Sequence, residues 1–198
     1  MEFRKIFWHE VRKMESKSFT CGYCGHPLAS ENGYFGALEK GLVVAYIYIC
    51  HFCSNPTYFD NTGNQVPGCA YGNPVFDIPS KDVEIVYNEA RNCTGCNAYT
   101  ASVLCCRKLL MNIAVSKGAK EGLSFIEYVE FLSDKGFIPP DGKDWVDHIR
   151  KKGNEANHEI SIMKREDAEE LISFIEMLLK FIYEFPAKIK KKNSGASD

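Results

Sequence analysis

Two short cysteine pairs, CGYC at 21–24 and CHFC at 50–53, constrain this chain more than any other feature. In each pair a tight turn lets two thiols reach one ion from the same side. The 25 residues between the pairs can form a hairpin that brings the two turns together. Four thiolates complete a tetrahedron, the donor set of structural zinc, so Cys21, Cys24, Cys50 and Cys53 are expected to hold one Zn2+ per chain. No coordination position remains open for water, so such a zinc holds the fold and does not catalyse. A ribbon of this size has too little core to stand alone, and the energy of metal binding becomes folding energy. His26 or His51 could replace one thiolate.

Cysteine usage also bears on the compartment. The total of nine leaves one thiol over in any full disulfide scheme, and the opening MEFRKIFWHEVRKMESKSF is charged throughout. It has no apolar run of the kind that directs export, and no stretch reaches the roughly 18 uncharged residues of a membrane span. The expectation is a cytoplasmic protein with reduced thiols and no membrane segment. Cys105 and Cys106 read as small buried hydrophobes. Cys93 and Cys96 read the same way in their helical context, although with Cys69 they could form a second metal site.

Composition shifts along the chain mark its organisation. Residues 1–60 hold an N-terminal segment and the cysteine ribbon, where Leu42 to Ile49 (LVVAYIYI) has strand character and Thr57 to Phe59 suggests a returning strand. Residues 61–79 contain three prolines and three glycines and read as an irregular linker. From Ser80 the apolar spacing turns helical. Helices are expected from Ser80, as cap, to Asn92, from Ala98 to Val115, from Ser124 to Ser133, from Asp144 to Arg150, and from Glu166 to Phe185, with Pro186 as the stop. The fold class is therefore α+β: a small β zinc ribbon followed by an α-helical bundle over 80–186. Residues 187–198 are expected to form a basic disordered tail bearing Lys188, Lys190, Lys191 and Lys192. The last helix is apolar almost all round, from Leu171 to Phe185, so it is either central to the bundle or covered by a second subunit.

Charge gives no broad attraction to nucleic acid. With 24 basic and 26 acidic residues the net charge is −2, and any hold on RNA must come from local clusters. One such cluster is DHIRKKGNEANHE at 147–159. There a histidine can move protons near neutral pH, and a neighbouring cation can stabilise a developing phosphorane charge. The pattern suits metal-free RNA cleavage with His158 as acid or base, Arg150 as charge stabiliser and Asn154 as orienting residue. Asn and His also make loop-capping hydrogen bonds, and Gly153 can serve as a helix stop.

The stretch from EARNC (89–93) through TASVLCCRKLLMNIA, FIEYVEFL, WVDHIRKKGNEANHE and EDAEELISFIEMLLKFIYEFP resembles the bacterial domain of unknown function numbered 4145. That family often carries a cysteine-paired ribbon in front. It is similar in turn to the HEPN superfamily of helical, frequently dimeric domains. Many of these are ribonucleases of toxin and phage-defence systems, and others are accessory modules of restriction enzymes. The resemblance implies a HEPN-like bundle and a homodimer. HEPN nucleases place a histidine after an arginine with four to six residues between them. Here seven residues separate Arg150 from His158, and the residue with matching spacing is Lys152. Arg91 and Arg107 lie in the corresponding helices, where a salt-bridge role is as much implied as a catalytic one. The function expected is a zinc-binding accessory or adaptor protein that binds nucleic acid or a protein partner. The alternative is a metal-independent endoribonuclease using the 150–158 segment.

Overall fold

In the computed structural model, residues 6–138 and 162–193 are described. The chain divides into two units, 1–70 and 71–198.

The first unit is an antiparallel sheet in simple sequence order: β1 (Arg12–Thr20), β2 (Pro27–Ala37), β3 (Val43–Ile49), β4 (Pro56–Asp60) and β5 (Gln65–Val66). Each strand pairs with the one before it, so every connection is a turn. The β2–β3 turn closes through the Leu38 N–H to Leu42 O bond of 2.9 Å, with Gly41 at φ 77, a backbone shape that favours glycine. Inside the sheet Gly33 is sterically required, because a Cβ there would lie 1.8 Å from the Ile47 carbonyl oxygen. A small aromatic core covers one face. Phe19 meets Phe59 edge to face at 5.2 Å, and Tyr48 meets Phe59 at 5.9 Å, geometries that suit the ring quadrupoles.

β1 and β5 were not legible in the sequence, and β2 only as the implied partner of a hairpin before Leu42, with Gly33 and Gly36 lying inside the strand. β1 reads RKMESKSFT, polar and lysine-bearing, with an irregular register between Lys13 and Lys17. It is an edge strand, where charge and a bulge guard against pairing with other chains. β5 falls inside the stretch read as a linker. From Tyr71 that stretch is bound along the helices of the second unit. Thr94 Oγ1 accepts the Tyr71 N–H (2.9 Å), Arg91 donates to the Tyr71 and Gly72 carbonyls (3.1 and 2.8 Å), and the Tyr87 hydroxyl donates to Asn73 O (2.7 Å). Glu176 accepts the Asn73 N–H (2.8 Å) and Glu184 the Phe76 N–H (3.0 Å).

The described part of the second unit contains α1 (Lys81–Gly95), α2 (Tyr99–Ser116), α3 (Phe125–Asp134), α4 (Arg165–Leu179) and α5 (Phe185–Asn193), the last two joined by a π-turn at Lys180–Glu184. Ser80 caps α1 and Ser124 forms a capping box with Glu127 at the start of α3. The hairpin of α1 and α2 is pinned by the Ser102 hydroxyl donating to Ala90 O at 2.8 Å. α2 lies centrally among the described helices, against α1, α3 and α4. Its Cys106, Leu110 and Ile113 are fully buried with Leu132 of α3 and Ile172, Phe174 and Ile175 of α4.

The end of the chain corrects the expectation of a stop at Pro186. Helical backbone continues to Asn193, so Lys188 to Lys192 lie on a helix and not in a disordered tail. The π-turn is the physical reason. Proline lacks an N–H and its ring crowds the carbonyl four residues back. Widening the turn to a five-residue step lets the Phe185 N–H bond Lys180 O. Pro186 then follows in the first turn of α5, a position that proline tolerates. The short helix expected at Asp144 to Arg150 lies outside the described residues.

Candidate metal centre

The order of the strands explains why the two cysteine pairs meet. CGYC sits in the β1–β2 turn and CHFC in the β3–β4 turn, and in a meander these two turns share one end of the sheet. The turns are built alike. Cys21 O accepts the Gly25 N–H (2.8 Å) and the Cys21 N–H bonds His26 O (3.0 Å). Likewise Cys50 O accepts the Ser54 N–H (2.8 Å) and the Cys50 N–H bonds Asn55 O (3.0 Å). Each turn exits through a residue of positive φ, Gly25 at 73 and Ser54 at 59. Such a turn points successive N–H groups inward, and the Tyr23 N–H lies 3.4 Å from Cys21 Sγ.

All four sulfurs lie within 4.8 Å of one another, and no other cluster of this kind occurs among the described residues. Cys21 Sγ to Cys53 Sγ and Cys24 Sγ to Cys50 Sγ are both 3.7 Å. A tetrahedron of thiolates about 2.3 Å from zinc has edges of about 3.8 Å. The arrangement therefore fits one tetrahedral metal ion, and none of the nine cysteines is in a disulfide. Cys21, Cys50 and Cys53 are buried, and Leu28 and Phe19 pack against them. Burial pushes the Cys24 thiol up to about 12 and raises Cys50 as well. Burial acts the same way on Cys53, but donors from Asn55 outweigh it and hold that thiol below its ordinary value. A buried cation reverses the penalty on the thiolates, so metal binding expels their protons.

Several supporting residues carried no sequence signal. Gly22 packs under the backbone of Pro67 and Gly68, where a Cβ would meet the two carbonyl oxygens at 2.3 and 2.6 Å. The 65–69 segment is tied down by Gln65 Nε2 and Cys69 Sγ, which both donate to Thr20 O at 2.8 Å. Trp8 Nε1 donates to Ser54 O at 2.7 Å and so ties the N-terminal segment to the second turn. A glycine within C-x-x-C was visible in the sequence, but its close neighbour forty residues away was not.

The imidazoles are not part of the cluster. His26 stacks on Phe52 at 4.5 Å, and His51 lies tilted against the same Phe52 ring at 4.4 Å. Nor does Cys69 join a second cluster; its thiol serves the Thr20 carbonyl. Cys106 is fully buried, as packing requires, whereas Cys96 is exposed. Arg91 holds the 71–72 backbone by hydrogen bonds, a structural role. Arg107 is buried with its guanidinium 4.4 Å over the Phe125 ring, and desolvation lowers its pKa. Arg150, Asn154 and His158, the residues read as a nuclease site, lie outside the described residues.

Comparison with known families adds the decisive observation. The model of the family described as Domain of unknown function (DUF4145) matches residues 88–195, more than half of the chain. The chain belongs to the DUF4145 family. The DUF4145 match begins inside α1 and lies wholly in the second unit, so the four cysteines precede it in sequence. No curated protein and no solved structure matches this DUF4145 chain. No described helix of it is long and apolar enough to cross a membrane.

Proposed function

We propose that this DUF4145 protein is a cytoplasmic, non-catalytic adaptor in which a structural zinc shapes a small docking unit joined to a HEPN-like helical domain. The observation that carries the reading is the four-sulfur tetrahedron with paired edges of 3.7 Å. Such a closed donor set holds zinc without an open position, so the ion clips two hairpins together and leaves the surface of the sheet for recognition. A role in bacterial defence or toxin systems rests on the HEPN resemblance. A net charge of −2 favours a protein partner over a nucleic acid.

A second copy of the chain is the other partner. Phe181, Phe185 and Ile189 lie exposed along the π-turn and α5, with the two phenylalanine rings 6.0 Å apart. An unpaired apolar stripe of this kind is suited to pairing with its own copy. Light scattering should give twice the monomer mass, and Phe181→Glu with Phe185→Glu should return it to monomer.

Metal analysis of the purified protein, expected at about one zinc per chain, tests the first claim, and substantially substoichiometric zinc refutes it. Incubation with labelled single-stranded RNA tests the second. RNA left intact by the wild type supports an adaptor, whereas cutting that His158→Ala abolishes establishes the ribonuclease alternative.

A further inference from the structure

The metal centre leaves one C-x-x-C unused. Cys93 and Cys96 lie at the end of α1, where Cys93 is half-buried and Cys96 is exposed, so packing does not account for the second thiol. The backbone fixes their separation. Cys93 O accepts the Cys96 N–H at 3.2 Å and the Ala98 N–H at 2.8 Å, while Thr94 O accepts the Asn97 N–H at 3.0 Å. Asn97 leaves the helix at φ 58, and these are the paired bonds by which helices commonly end when a left-handed residue follows the cap. Helix geometry puts Cα atoms three residues apart at about 5 Å, inside the window of about 4.4–6.8 Å that a disulfide spans. Burial raises the Cys93 thiol, and the neighbouring Cys96 and Glu89 add to the effect. Cys93 is thus kept protonated, and the exposed Cys96 is the thiol that meets an oxidant first. Cys105 of α2 is the competing partner: it is half-buried and is raised by burial and then by Cys93.

We propose that Cys93 and Cys96 form a reversible dithiol–disulfide pair that is oxidised by a low-molecular-weight disulfide such as oxidised glutathione. Cys96, as thiolate, attacks one sulfur of the oxidant; the S–S bond of the oxidant breaks, and one of its halves leaves as a thiolate and takes up a proton. Cys93 then gives up its proton and attacks the Cys96 sulfur, which expels the second half and leaves the Cys93–Cys96 bond. Two electrons pass from the protein to the oxidant, and the two protons lost by the cysteines end on the two released thiols. An excess of small thiol reverses both steps. In a reducing compartment such bonds are transient and report the redox state. The pair needs no metal, so it stands apart from the zinc reading of the other unit.

The test uses the full-length protein, reduced and then incubated in mixtures of oxidised and reduced glutathione. Free thiols are trapped by alkylation, and the digested protein is mapped by mass spectrometry. A Cys93–Cys96 link should appear as the oxidised fraction rises and vanish when reduced glutathione is restored. Cys93→Ser should stop at a glutathione adduct on Cys96, whereas Cys96→Ser should lose both the link and that adduct. Neither side chain is fully buried, so both variants should keep the melting curve of the wild type. The proposal is overturned if Cys93 bonds Cys105 instead, if the wild type stops at the adduct on Cys96, or if the pair stays reduced where other cysteines are modified. Changes at Cys21, Cys24, Cys50 or Cys53 are read separately in the same map and bear only on the metal centre.

Discussion

Replacing Gly22 by alanine should loosen the cysteine unit without touching a single cysteine. The added Cβ would lie 2.3 Å from Pro67 O, 2.6 Å from Gly68 O and 2.8 Å from the Pro67 carbonyl carbon. All three are backbone atoms, so no side chain can swing away and the 67–68 segment must move outward by roughly 1 Å. That shift stretches the two bonds to Thr20 O from Gln65 and Cys69 and the 3.0 Å bond from Gln65 Nε2 to Pro67 O. Three half-buried hydrogen bonds at about 0.5–1.5 kcal/mol each, partly retained after relaxation, give an expected loss of about 2 kcal/mol. Denaturant titration of the full chain, read by near-ultraviolet circular dichroism of the tyrosines and by metal release to a coloured chelator, measures it. Gly36→Ala is the control, because its Cβ would meet only the Ala45 methyl at 3.3 Å. Equal midpoints for Gly22→Ala and wild type would show that the 67–68 segment does not lie on the turn as described, and the reasoning would fail.

Other outcomes follow from the same contacts. Cys50→Ser should abolish metal retention and unfold the sheet unit, whereas Cys69→Ser should leave metal stoichiometry unchanged, as metal analysis of the two variants would show. The helical unit should lose stability as pH falls below the ordinary glutamate value of 4.5. For Glu176 burial works upward, but the Lys180 ammonium and the two Asn73 donors overcome it; for Glu184, Lys188 and the Phe76 N–H act downward together. Both folded-state values are depressed, so the stabilisation is present above that pH and lost below it; thermal melts across the acid range should show a smaller slope in Glu176→Gln. Leu110→Ala, at a fully buried position in α2, should cost about 2–5 kcal/mol in chemical denaturation.

The metal centre was legible because its chemistry is local. C-x-x-C places two thiols on one turn whatever surrounds it, and the second pair needed only a hairpin to reach the first. Helix starts were equally local, since Ser80 and Ser124 cap α1 and α3 through their own hydroxyls. What escaped is non-local or compensated. β1 has a polar sequence and takes its conformation from β2. The 71–77 segment reads as a linker but is held by Arg91, Glu176 and Glu184 from helices far along the chain. Pro186 signals a stop, and a π-turn absorbs the missing N–H. The contact between Gly22 and Pro67 depends on how β5 folds back, which no short window of sequence contains.

The twin turns at one end of the sheet have a further effect on strand pairing. A hairpin can slip by one residue and keep most of its ladder bonds, yet the slip moves a strand by about 3.3 Å and reverses the face of every side chain. With one cysteine pair in each of two hairpins, such a slip in either would carry its thiols away by nearly the full 3.7 Å edge of the cluster. The ion can then be gripped by only half of its donors. On the proposed zinc reading, metal capture proofreads the alignment of both hairpins at once, and a misthreaded sheet is left metal-poor and open to unfold and try again.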